Sequence, residues 1–151
     1  MPKRIYSHAY ASVRFIAPNL DPLIVTKALK LPPDHQHRVG EPRLTRSRNG
    51  NVQEYSDYRG GLWAMSSERW VESPRLETHV DWLLSQLEPL ADAIQNLIVN
   101  GTRVDFFCFS LGSSEDPPSL PRTIRERAES LGITIEIDHY FENDGELKSI
   151  K

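Results

Sequence analysis

Apolar residues recur every three or four positions between Ser73 and Asn100, and this spacing predicts the longest helix of the chain. The stripe consists of Leu76, Val80, Leu83, Leu84, Leu87, Leu90, Ala91, Ile94, Leu97 and Ile98. Ser73 followed by Pro74 predicts the helix start, and Asn100 followed by Gly101 predicts its end. Because Pro89 removes a main-chain hydrogen bond within this stripe, we expect a kink or two abutting helices.

Two other segments alternate apolar and polar residues and therefore predict strands with one buried face. In the first, Ala9, Ala11, Val13 and Phe15 alternate with His8, Tyr10, Ser12 and Arg14. In the last, Ile133, Ile135 and Ile137 alternate with Thr134, Glu136 and Asp138, and Tyr140 continues the polar set. Residues 104–111 are apolar on both faces, as is typical of a central strand.

Turn and cap signals complete the order of elements. Asp21-Pro22 predicts a capped helix start, and Gly132 predicts the end of a helix that carries Ile124 and Ala128. Strands are predicted at about 43–48, 51–56 and 61–66, with a hairpin turn at Asn49-Gly50. Gly60-Gly61 predicts a bulge or a close approach of two backbones.

This order of elements predicts an α+β two-layer sandwich. The sheet is expected to be mixed and mostly antiparallel, with helices mainly on one face and a right-handed parallel crossover at the end. Residues 1–151 are expected to form a single domain, with a frayed acidic tail after about residue 143. The residues predicted to share one core are Val13, Phe15, Leu83, Leu87, Ile94, Phe106 and Ile135.

Composition excludes several classes of protein. The formal net charge of −3 excludes a globally basic surface for nucleic acid. Cys108 is the only cysteine, so an intramolecular disulfide is excluded and a reducing compartment is favoured. Neither a signal peptide nor a membrane span can be recognised, and we expect a cytoplasmic protein.

The residues with catalytic or metal-binding chemistry are isolated in the sequence. His35 and His37 lack a third ligand or a thiolate nearby, so an exposed loop is favoured over a zinc site. His79 is expected to bond a backbone carbonyl rather than to act as a base. Cys108 is expected to be buried and inert. We therefore predict no catalytic residue, no metal and no cofactor.

A binding site is predicted on the polar faces of the first and last strands. Tyr10 and Arg14 lie on the polar face of the first strand, and Glu136 and Asp138 lie on the polar face of the last strand. If these strands lie close together, the four side chains share a surface that could serve acid–base chemistry or partner binding, although a plain solvated face is the simpler interpretation. Trp82 falls off the main helical stripe and is the candidate apolar anchor for a partner.

Charge is distributed unevenly along the chain. Arginines cluster in the predicted hairpin, at Arg43, Arg46 and Arg48. We interpret them as solvated charges that keep an edge strand from pairing with other chains, in preference to a phosphate-binding site. Acidic residues concentrate between Glu126 and Glu146. A basic partner would be steered to such an acidic stretch.

The chain resembles a bacterial family known as domain of unknown function 4279. The resemblance covers most of the chain and rests on motifs in a fixed order. They are Tyr10-Ala11-Ser12-Val13, Leu20-Asp21-Pro22, Ala28-Leu29-Lys30-Leu31-Pro32-Pro33, Gly40, Gly61-Leu62-Trp63 with Ser66, and Leu76-Glu77-x-His79-Val80-x-Trp82-Leu83-Leu84. The arginine-bearing hairpin is longer here. The resemblance implies a small bacterial protein without assigned activity, and similar small families include immunity proteins.

The leading functional prediction is a non-catalytic protein-binding module, of the immunity type, with an unidentified protein partner. One alternative is a small-ligand protein or hydrolytic enzyme that uses the polar sheet face. The other is nucleic-acid contact through the arginine-rich hairpin. Sequence alone leaves the strand order, the oligomeric state and the identity of any partner open.

Overall fold

A computed structural model of the protein describes residues 6–46, 52–143 and 146–150, with side chains for residues 6–43 and 56–142. The strands are β1 (Tyr6–Ala17), β2 (His35–His37), β3 (Arg43–Arg46), β4 (Val52–Tyr55), β5 (Gly61–Ser66), β6 (Arg103–Gly112), β7 (Thr134–Asn143) and β8 (Glu146–Ile150). The helices are α1 (Pro22–Leu29), α2 (Leu76–Leu87), α3 (Ala91–Val99) and α4 (Arg122–Ser130), with a 3₁₀ turn at Glu88–Leu90 between α2 and α3.

Within these described residues, six strands form one mixed sheet in the order β2-β5-β1-β6-β7-β8. β6 and β7 run parallel, because α4 carries the chain back between them, and the other neighbouring strands are antiparallel. The hairpin strands β3 and β4 pair with each other in a separate two-stranded sheet. The predicted α+β fold with a mixed, mostly antiparallel sheet is confirmed.

The core lies between one face of this sheet and the helices. It contains six of the seven residues that the sequence assigns to it, all fully buried, and Ile135 packs against them partly buried. The strands contribute every second residue, as in the series Ala9, Ala11, Val13 and Phe15 of β1. The helices contribute one side each, since the buried residues of α2 recur at helical spacing: Leu76, His79, Val80, Leu83, Leu84 and Leu87.

The long apolar stripe folds as two abutting helices. Pro89 lies in the 3₁₀ turn between α2 and α3, as expected from its missing N–H group. The predicted helix start at Ser73-Pro74 is wrong, because α2 begins at Leu76 after an extended Arg75. The Ser73 hydroxyl instead accepts a hydrogen bond from the Arg75 N–H at 3.1 Å, which closes a tight turn before the helix.

The first helix begins at the cap that Asp21-Pro22 predicts. The Asp21 carboxylate accepts a hydrogen bond from the Leu23 N–H at 3.1 Å, and Lys30 ends the helix in a left-handed conformation with φ of 57°. Gly61 lies where β5 starts beside the loop that precedes α1. A β-carbon there would lie 2.4 Å from the Leu20 carbonyl oxygen, so this position requires glycine.

Two further expectations concern the hairpin and the chain end. The hairpin strands are present as β3 and β4, but the predicted turn at Asn49-Gly50 lies outside the described residues. The sequence predicts fraying after about residue 143, but the structure pairs Glu146–Ile150 with β7 as strand β8. Phe141 faces Lys148 in this register, so the backbone of the acidic tail gains ladder hydrogen bonds.

Cys108 lies in the middle of β6 and is fully buried, as the sequence predicts. Burial raises the pKa of its thiol to about 12, and the charge of Asp105 acts in the same direction. We expect a thiol reagent to label the native protein at least about a hundredfold more slowly than the unfolded chain, because the thiolate forms only after opening. Stopped-flow labelling with and without denaturant measures both rates. Fast native labelling would contradict the central position of β6.

Candidate binding surface on the open sheet face

The sheet face opposite the helices is the candidate site. Its side chains alternate with the core residues on three adjacent strands, and we call this surface the open face. It carries His8, Tyr10, Ser12 and Arg14 on β1, then Asp105, Phe107, Phe109 and Leu111 on β6, and Thr134, Glu136, Asp138 and Tyr140 on β7. The described helices direct their buried residues to the core on the other side of the sheet. None of the described helices therefore covers the open face.

Aromatic rings form the centre of the open face. Phe109 stacks on Tyr10 with ring centroids 5.0 Å apart and an interplanar angle of 14°. It also contacts Tyr140 at 5.3 Å and His8 at 5.7 Å. These four residues are named the aromatic cluster below. His8 is exposed and the other three are half-buried, so the cluster presents apolar area to solvent in a fixed arrangement.

The position of Tyr10 in the cluster changes its acidity. Burial is the largest cause that raises the pKa of the Tyr10 hydroxyl, followed by the charge of Glu68 and the neighbouring Tyr140 and Asp138. Tyr10 therefore stays protonated at neutral pH. A neutral phenol can both donate and accept a hydrogen bond, and its ring supplies apolar area.

An ion pair lies beside the aromatic cluster on the same face. The Arg14 guanidinium donates two hydrogen bonds of 2.8 Å to the Asp105 carboxylate, and it lies 3.6 Å from Glu136. Its central carbon is 4.7 Å from the centroid of the Phe107 ring. The bond to Asp105 raises the pKa of Arg14. The guanidinium is thus held over the Phe107 ring, with the carboxylates of Asp105 and Glu136 close to its charge.

The structure brings together four of the five predicted site residues. Tyr10, Arg14, Glu136 and Asp138 all lie on the open face, and β6 lies between the strands that carry them. Trp82 does not join them. It lies half-buried on α2 in the helix layer, where its ring stacks against the exposed Trp70 at 6.1 Å.

Sequence reasoning missed the contribution of β6 to this surface. Phe107 and Phe109 read as core residues, because residues 104–111 are apolar on both faces. In the structure they are half-buried on the open face, and Asp105 pairs with Arg14 beside them. The signal that could have found them is Asp105, since a carboxylate at the start of an apolar strand requires a partner.

Two buried histidines hold loops at the end of the sheet. His79 Nε2 donates to the Ser73 carbonyl at 2.8 Å, because a carbonyl can only accept, and His79 Nδ1 accepts from the Ser67 hydroxyl at 2.7 Å. The Ser67 oxygen in turn accepts from the Ala11 N–H at 3.0 Å. Ser67 and His79 are buried and their polar atoms are paired, so this couple supports the fold and presents no nucleophile to solvent.

His139 repeats this arrangement on β7. Its Nε2 donates to the Ser114 carbonyl at 2.8 Å, and its Nδ1 lies 3.2 Å from the Ser110 hydroxyl. His139 is fully buried. It therefore ties the loop after β6 to the sheet, as His79 ties the loop after β5.

The histidine pair of β2 lies on the same side of the sheet as Arg14, because His35 pairs with Ala64 and Ala64 pairs with Arg14, but β5 separates it from β1. The His35 and His37 rings contact each other at 5.8 Å, and His37 stacks on Tyr58 at 3.5 Å. Among the residues that the structure describes, no three histidine, cysteine or acidic side chains converge as a metal site would require. The side chains of Arg46 and Arg48 in the hairpin lie outside the described residues.

The fold and the open face define a small α+β protein with an aromatic sheet surface that no described helix covers. Residues 7–142 match the family described as a domain of unknown function, DUF4279, and the chain belongs to that family. No curated protein and no solved structure matches the chain. Within the described ranges, none of the helices is long and apolar enough to cross a membrane.

Proposed function

We propose that this protein is a non-catalytic protein-binding module and that the open face is its binding surface. The observation that carries the proposal is the aromatic cluster of His8, Tyr10, Phe109 and Tyr140, held by one stacked, one edge-on and one tilted ring contact on a sheet face that no described helix covers. Tyrosine and arginine are the residue types that dominate the energy of protein interfaces. Because the rings are already ordered, little side-chain entropy is lost when a partner covers them.

The charges around the cluster support a protein partner rather than nucleic acid. Glu136 and Asp138 lie on β7 beside Tyr140, and Glu68 acts electrostatically on Tyr10. Carboxylates next to stacking rings repel phosphates, whereas single-strand binders combine such rings with basic side chains. A basic protein surface fits this arrangement, and it would be steered there by the acidic strand.

A masking role of the immunity type in the bacterial cytoplasm is the finer proposal. Such a module needs a stable fold and a preformed surface, and it needs no catalytic group. The paired Ser67 and His79 and the buried Cys108 support this, because burial keeps these three side chains from acting on a substrate in solvent.

The proposal is tested by retention of a partner from the source cell on immobilised protein. We expect the double variant Tyr10→Ala with Tyr140→Ala to retain at least about tenfold less partner than the wild type, since removing central aromatic anchors costs about 2 kcal/mol or more. Glu136→Lys with Asp138→Lys is expected to slow association with a basic partner. Mass spectrometry identifies the retained protein, and a binding titration with that protein purified gives the affinities.

The control variant is Glu126→Lys with Glu129→Lys, which makes the same change of charge on the exposed side of α4. It should retain the partner like the wild type. Trp82→Ala is compared beside it, and loss of binding there with normal binding by the Tyr10 and Tyr140 variant would move the interface to the helix layer. The binding-module proposal is wrong if none of the proteins retains a partner and the wild type instead turns over or tightly binds a small molecule.

A further inference from the structure

Strand β1 is longer than its neighbour β5, and this leaves part of its edge without a partner among the described strands. The pairing between the two strands ends at Ser12 and Ser66, whereas β1 continues back to Tyr6. Ser67 closes the pairing, because its N–H donates to the Ala11 carbonyl at 2.8 Å and its hydroxyl accepts from the Ala11 N–H at 3.0 Å. The chain then turns away from the sheet.

The backbone of Ala9 faces the space that β5 leaves. Ala11 directs its N–H and carbonyl toward Ser67, and groups two residues apart along a strand point the same way. In the described part of the chain, no strand pairs with Ala9 on that side. A cavity of about 570 Å³ lies there, between the strand edge and the loop that carries Glu68, Glu72 and Pro74. We call it the edge groove.

The charge of the edge groove is acidic. Glu68 and Glu72 line it and are exposed, and no lysine or arginine is among its described lining residues. Neither glutamate forms an ion pair within the described residues. An occupant of this groove therefore gains most if it brings positive charge.

We infer that the edge groove accepts an extended, basic segment of a protein partner, which adds to β1 as a further strand. The main chain of the segment would bond the free N–H and carbonyl of Ala9, and its lysine or arginine side chains would meet Glu68 and Glu72. This inference rests on the proposed function. It names the partner's chemistry, and the same strand presents His8 and Tyr10 to the open face, so one partner can cover both surfaces.

The test uses a short acetylated and amidated peptide of alternating lysine and valine, added to the full chain. Amide hydrogen exchange is followed by NMR. We expect saturating peptide to slow exchange of the Ala9 amide by about tenfold or more, because that N–H acquires a main-chain acceptor. The variant Glu68→Lys with Glu72→Lys should bind the peptide at least about tenfold more weakly. Glu126→Lys with Glu129→Lys on α4 is the matched control and should bind it like the wild type.

Three results overturn the inference. One is an Ala9 amide that exchanges equally fast with and without the lysine peptide. Another is equal binding of a peptide in which glutamate replaces lysine, since the charge of the groove would then play no part. The third is protection of the Ala9 amide that rises with protein concentration without any peptide, because the occupant would then be a second copy of this chain.

The result also separates this inference from the proposed function. Tyr140→Ala alters the open face on β7 and leaves the edge groove intact, so it should bind the peptide like the wild type. If the peptide leaves the exchange rate of the Ala9 amide unchanged and the protein still retains its cellular partner, only the edge-groove inference is wrong. Peptide protection of Ala9 in a protein that retains no partner overturns the open-face module alone.

Discussion

Replacing Leu87 by alanine is expected to lower the free energy of unfolding by about 2–5 kcal/mol. Leu87 is the last residue of α2 and is fully buried in the core. The loss combines the missing apolar burial with the cavity that remains, because the Pro89 break next to it limits how far the helices can move together. Chemical denaturation followed by far-ultraviolet circular dichroism measures the change.

Leu23→Ala is the matched control for this substitution. Leu23 lies in the first turn of α1 and is half exposed, at 50% of its maximum area. The same side-chain truncation should there cost about 0.5 kcal/mol or less. Equal denaturation midpoints for Leu87→Ala and the wild type would show that α2 turns a different side to the sheet.

Acidification is expected to destabilise the protein through His79. Burial is the largest cause that lowers the pKa of His79 below its usual 6.5, and the charge of His8 acts in the same direction. The hydrogen bond to Ser73 and the charge of Glu68 oppose this without reversing it. The unfolded chain therefore binds more protons than the native one below pH 6.5. The stabilisation from neutral His79 is complete above that pH and is lost as the pH falls toward the pKa of the native state.

The substitution His79→Leu tests this expectation. At neutral pH it should lower the free energy of unfolding by about 1–3 kcal/mol, because the buried Ser67 hydroxyl loses its acceptor. Its stability should then fall less steeply than that of the wild type between pH 7 and pH 5. Urea denaturation at a series of pH values gives both quantities.

His8→Gln is the control for the pH series, because His8 is exposed on the open face. Since the charge of His8 is a lesser cause of the lowered His79 pKa than burial, this variant should keep most, but not all, of the wild-type dependence on pH. A wild-type stability that rises on acidification in this range would contradict the assignment of His79 as a neutral, buried residue. Since His79 also holds the Ser73 carbonyl at the wall of the edge groove, the same series reports on how firmly that wall is fixed.

Local pattern was sufficient to predict most elements and the core of this protein. The alternation holds over the length of β1, and the helical spacing holds over several turns of α2 and α3. A single exception within such a pattern does not obscure it. The proline break at Pro89 and the cap at Asp21 follow from chemistry within a few residues. The start of α2 was predicted incorrectly because the His79 side chain hydrogen-bonds the Ser73 carbonyl. This contact comes from six residues further along the chain and holds Ser73 outside the helix.

Only the tertiary structure decided how the candidate site is assembled. Strand order is set by long-range pairing, and it places β6 between the two polar strands that the sequence could describe only separately. Phe109 thereby becomes the centre of the aromatic cluster, although its neighbours in sequence read as core. The early end of β5, set by the bond between Ser67 and Ala11, likewise creates the edge groove. The periodicity of a helix or strand shows which of its own residues share a face. Contacts between residues on different elements form only when the elements pack together.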